Sequence, residues 1–174
     1  MAAGSTYTPI ATTTLSSSAA DITFTGISQS YTDLVIIISA RSTYSGADVA
    51  GFIRVGNGSI DTGANYSRTR LLGTGSAASS ARGTGSTTIA WDSIPGATAT
   101  AGVFCVTTIS INNYSNSTTY KTLLIRSNQP ELYVEATVGL WRSTSAINQV
   151  QIYGDGAANL ASGTTATLYG IAAA

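Results

Sequence analysis

The chain has 174 residues, and its eight basic and eight acidic side chains cancel. Charged residues make up 9% of it and histidine is absent, against about 25% charged residues in an ordinary soluble protein. A neutral chain without clustered Lys and Arg lacks the footprint of a nucleic-acid binder or a polybasic membrane-surface protein. The missing histidine removes the commonest general base and metal ligand. One cysteine excludes an intrachain disulfide and any Cys-cluster zinc site. The longest apolar run, Leu34 to Ile38, is strand-length and far short of the ~18 residues of a membrane helix. Met1-Ala2-Ala3-Gly4 has neither the basic start nor the apolar stretch of a secretion signal.

The dominant period is two, the mark of strands. Residues 1–9 are expected to form an arm ahead of a single domain over 10–174. Ile22, Phe24 and Ile27 follow a Ser/Ala-rich turn, and Asp33 to Ala40 reads as a strand buried on both faces. Gly51 to Val55 is a strand with Arg54 outward, closed by the turn Gly56-Asn57-Gly58-Ser59. Asn65 to Leu72 alternates, with Tyr66, Arg68 and Arg70 on one face. Gly73 to Ser86 is expected to be a long loop of small residues, Thr87 to Trp91 a short strand, and Asp92 to Ala101 a second loop.

Val103 to Ile111 and Tyr120 to Arg126 are the next strands. Glu131 to Trp141 has the strongest alternation in the chain. Leu132, Val134, Ala136, Val138 and Leu140 point one way, while Glu131, Tyr133, Glu135, Thr137 and Trp141 point the other. The second set is a mixed face of the kind that meets solvent, a ligand or another subunit. Ile147 to Tyr153 and Thr164 to Ile171 close the series. About ten short strands at this spacing predict an all-β fold, an antiparallel β-sandwich of jelly-roll type. An immunoglobulin-type sandwich is the alternative, although Trp91 and Trp141 lack its two flanking cysteines.

Few residues suit chemistry. Lys121, the sole lysine, is expected at a sheet edge, closing an apolar face. Glu131 and Glu135 on one strand face would sit about 13 Å apart at Cα, too far for a retaining glycosidase pair. Asp61 alone offers too few oxygens for calcium and reads as a turn residue. Cys105 reads as a buried, inert thiol. No catalytic residue, cofactor or metal site is assigned, and an enzyme is not expected.

Several segments together carry a resemblance: Tyr7-Thr8-Pro9-Ile10-Ala11-Thr12-Thr13-Thr14-Leu15, Tyr31-Thr32-Asp33-Leu34-Val35, and Asn65-Tyr66-Ser67-Arg68-Thr69-Arg70-Leu71. So do Tyr120-Lys121-Thr122, Val138-Gly139-Leu140-Trp141-Arg142-Ser143-Thr144-Ser145-Ala146-Ile147-Asn148 and Leu168-Tyr169-Gly170-Ile171. Across nearly its whole length the chain resembles small virion structural proteins of tailed bacteriophages, many from aquatic phages including those of cyanobacteria. The resemblance implies a non-enzymatic head cement or decoration protein: a jelly-roll subunit, usually a homotrimer, on the outer surface of the head over the junctions of the major capsid protein. It implies no nucleic acid, membrane or cofactor partner. The alternative is a tail-fibre or tail-adaptor domain that contacts the host surface or its glycans. Interface residues are expected in the arm (Thr6, Tyr7, Thr8) and on the mixed face and its end (Tyr133, Trp141, Arg142).

Overall fold

A computed structural model describes residues 6–156 and 158–172, apart from the side chain of Ser93. The described residues contain no helix and thirteen strands, not about ten. In chain order these are β1 (Tyr7–Thr14), β2 (Asp21–Phe24), β3 (Asp33–Ala40), β4 (Asp48–Asn57), β5 (Ser59–Ile60), β6 (Tyr66–Gly73) and β7 (Ala78–Ser86). There follow β8 (Ile89–Pro95), β9 (Cys105–Ile111), β10 (Lys121–Gln129), β11 (Tyr133–Trp141), β12 (Gln149–Gly154) and β13 (Thr165–Ile171). Eight strands form one sheet in the order β1-β13-β3-β9-β10-β11-β6-β7. Five form the other, β2-β12-β4-β5 with β8 also paired to β4. The strand pairs are antiparallel throughout, and the fold is an all-β sandwich.

Alternation builds the core between the sheets. Leu34, Ile36 and Ile38 of β3, Ile109 and Ile111 of β9, and Leu123 and Ile125 of β10 face Ile53 and Val55 of β4 and Val150 and Ile152 of β12. Burying each such side chain contributes roughly 1.5–3 kcal/mol. β8 closes the sandwich over β6, β10 and β11. A Cβ on Gly139 of β11 would lie 2.6 Å from Ile89 Cδ1, so the bare glycine admits β8 at this point.

Four expectations need correction here. Residues 7–9 do not stand apart as an arm: Tyr7, Thr8 and Pro9 lie in β1, opposite Ile171, Gly170 and Tyr169 of the same chain. Residues 1–5 lie outside the described residues. The small-residue stretch before Ser86 is not all loop, because Ala78–Ser86 pairs with β6 as an edge strand. Its side chains are almost all exposed, so it has no apolar alternation to betray it. The segment after Trp91 also continues as strand to Pro95, past a bulge opposite Val49 and Ala50. β3 is not buried on both faces along its length, since Ile37 is exposed.

Candidate functional site

The deciding feature is the polarity of β11. The sequence pattern places Val134 and Val138 on the apolar side and Glu135 and Trp141 on the mixed one. The structure turns the mixed side inward. Glu135 and Trp141 are each 2% exposed, whereas Val134 is 65% and Val138 49% exposed. Hydrogen bonds make this possible, because a buried polar group is tolerated once it has partners. Glu135 Oε1 accepts from Thr137 Oγ1 at 2.5 Å and Oε2 from Asp92 N at 2.7 Å. Arg70 pairs with Asp92 nearby. Burial pushes the Glu135 carboxyl up, against the opposing pull of Thr137, Arg70 and Arg68.

Trp141 is anchored in the same way. Its Nε1 donates to Asp61 Oδ2 at 2.7 Å. The Asp61 carboxylate also accepts from Asn65 Nδ2 at 2.9 Å and Gly63 N at 2.8 Å. Burial alone would raise its pKa; the three hydrogen bonds outweigh that and hold it below the usual carboxylate range. The Tyr66 hydroxyl donates to Asp61 O at 2.9 Å and accepts from Val55 N at 3.2 Å. Asp61 is therefore a turn residue tied to the core, and Trp141, expected among the interface residues, is a core side chain instead. Tyr133 sits half-buried at the other end of the same face; burial, then the nearby Asp48 charge, raises its phenol pKa. Half-buried Arg142 follows β11, its backbone N donating to Asn65 O at 2.8 Å. Thr6 and Tyr7 are exposed and Thr8 is half-buried. Tyr7 packs edge-on against Tyr169, with centroids 6.1 Å apart. The structure therefore does not bring the expected interface residues together.

Other candidates resolve individually. Glu131 does not share a strand face with Glu135: it lies in the exposed turn before β11, where its Oε2 accepts from Thr100 N at 3.2 Å. Lys121 is not at a sheet edge. It is 1% exposed in the interior strand β10, with Nζ donating to Thr119 O at 2.7 Å and Thr144 O at 3.1 Å. Burial pulls its pKa down. Cys105 is a buried thiol, as expected, and burial pushes it up to about 11.

The inverted β11 belongs to a wider surface. Outward from β9, β10, β11 and β6 point Val106, Leu124, Val134, Val138 and Leu71, all 47–65% exposed. Register places these side chains in rows. One row runs Thr108, Arg126, Ala136, Leu71, Ser80, and the next Ser110, Leu124, Val138, Thr69, Arg82. Two depressions of about 510 and 620 Å³ lie on this face, and Arg126 lines both. Scattered exposed apolar side chains are ordinary; a contiguous set marks an interaction site. The set was not legible as such in the sequence, because its residues looked like core.

No protein-family model and no curated protein matches the chain. Among solved structures it is similar to scytalido-glutamic peptidase with a peptide-based transition-state analog, at TM-score 0.29 and 14% identity. The match covers 90% of this chain and 66% of that one, and at that score it carries no argument about activity.

Proposed function

We propose that this protein is a non-enzymatic structural subunit of a tailed-phage virion. In this reading it is a head cement or decoration protein that clamps adjacent major capsid subunits, a jelly-roll subunit acting as a homotrimer. The observation that supports the reading is the apolar outer face of the eight-stranded sheet. A rigid, charge-poor face suits close contact with a protein shell, since few ions must be desolvated. Covering five half-exposed side chains (Leu71, Val106, Leu124, Val134, Val138) releases about 5 kcal/mol. Association costs about 4–15 kcal/mol, so one such face alone binds weakly. Several copies held together gain by avidity, which fits a subunit that decorates a repeating lattice.

Immunogold labelling of intact virions, with antibody raised against the recombinant chain, tests the reading. Gold over the head is expected. Gold confined to the tail would overturn the cement role and favour the tail-fibre or tail-adaptor alternative, and unlabelled particles would overturn the virion reading.

A further inference from the structure

The outer face of the large sheet has a charge pattern that selects its occupant. The chain as a whole is neutral. Yet the outward residues of β9, β10, β11, β6 and β7 include Arg126 and Arg82 and no carboxylate. Arg126 is exposed at the junction of the two depressions. The one ion pair among the described residues is Arg70–Asp92, and no hydrogen bond from another side chain engages the Arg126 guanidinium. Five strands at about 4.8 Å spacing and 25–30 Å length give a face of roughly 600–700 Å². That is close to the ~800 Å² each partner contributes to a stable interface.

A second copy stacked on this face would bring four guanidinium groups and no carboxylate between two apolar sheets. Cations left unpaired in a desolvated layer oppose association, and like charges brought together suppress it further. A partner with an apolar surface and an acidic side chain meets both demands.

We infer that this face docks onto a different protein, whose apolar contact surface places a carboxylate opposite Arg126; the inference rests on the virion reading, with the partner a protein of the particle. Leu71, Leu124, Val134 and Val138 exclude water around the contact, and the buried guanidinium–carboxylate pair sets its register.

The test uses purified particles of a phage deletion mutant lacking this protein, mixed with the full chain and sedimented. Wild-type protein is expected to bind, and Arg126→Glu to bind about tenfold or more weakly. Arg126→Lys should retain part of the binding, and Gln151→Glu on the opposite sheet should bind like wild type. Melting curves of all four confirm that each is folded, since Arg126 and Gln151 lie outside the core. Equal binding by wild type and Arg126→Glu overturns this inference alone. Wild-type protein that does not bind overturns the virion reading and the inference with it. Self-association in sedimentation velocity that Val134→Asp abolishes also overturns it, because the occupant is then a second copy.

Discussion

The two sheets present opposite outer faces. On the five-stranded sheet the outward side chains are polar or aromatic, and several engage one another. Gln151 Nε2 donates to Asp21 Oδ2 at 3.2 Å, and Arg54 lies 4.9 Å over the Tyr153 ring and donates through Nε to Thr87 O at 2.9 Å. Phe52 packs edge-on against Tyr153. Such a face is complete in water. The eight-stranded sheet keeps its hydrogen-bonded threonine pairs, Thr12–Thr167 and Thr14–Thr165, near the β1 edge. Toward β9, β10, β11 and β6 it turns valine and leucine outward and buries Glu135, Lys121 and Trp141. That second face leaves half-exposed apolar side chains in water. Side-chain polarity on a strand thus does not reveal which side faces the core when buried polar groups have hydrogen-bond partners within the chain.

The comparison can be broken most sharply at Trp141. If its face is core, Trp141→Ala should cost about 3–5 kcal/mol in urea unfolding. A loss below about 0.5 kcal/mol, the range of surface changes, would return Trp141 to the surface. Ile152→Ala, on the inward side of the small sheet, is the matched control and should cost about 2–5 kcal/mol.

Acid sharpens the contrast, because two carboxylates tied to the core shift in opposite directions. Burial holds Glu135 above its ordinary value of 4.5. The folded state therefore binds that proton more tightly. This contribution to stability is full below 4.5 and is lost as pH rises through the folded pKa. Wild type should gain on Glu135→Gln when unfolding is measured at pH 4 instead of pH 7. Asp61 is held below its ordinary value of 3.8, so its contribution is present above 3.8 and lost as pH falls through the folded pKa. Asp61→Asn should therefore cost more at pH 7 than at pH 2. Pairs of unfolding curves that stay parallel across pH would contradict both assignments.

The smallest effect on stability is expected on the outer face itself. Val134→Thr and Val138→Thr should each change unfolding free energy by less than about 0.5 kcal/mol, while together reducing binding of an apolar dye to the folded protein. A loss of 2 kcal/mol or more in either variant would mean that the side chain is packed within the chain.

Much of the architecture was legible in the sequence: β3 from its continuous apolar run at Leu34 to Ile38, and the strands around Ile53, Ile109, Leu123 and Leu168 from period-two patterning. The cores of these strands alternate cleanly because both sheets bury one face. β7 was hidden because Ala, Ser and Gly carry no alternation when nothing on the strand is buried. β1 was hidden behind Pro9, which an edge strand accommodates at its bulge. The candidate surface was misassigned for a different reason. Whether Val134 or Glu135 points inward depends on Asp92 and Asp61, groups brought alongside β11 by pairing and packing, together with Thr137 two positions along β11 itself. Alternation shows that two faces differ, and the partners on neighbouring strands decide which is inside.

The central claim, that the outer face of the eight-stranded sheet is the contact surface, is tested most directly by thiol labelling. Cys105 is the sole cysteine and is buried, so an introduced surface cysteine is the reactive one. Val134→Cys and Gln151→Cys proteins would be treated with a maleimide reagent free in solution and again after binding to phage particles. The account predicts that both react when free, and that on particles Val134→Cys is protected while Gln151→Cys still reacts. Undiminished labelling of Val134→Cys on particles, with Gln151→Cys protected, would contradict it.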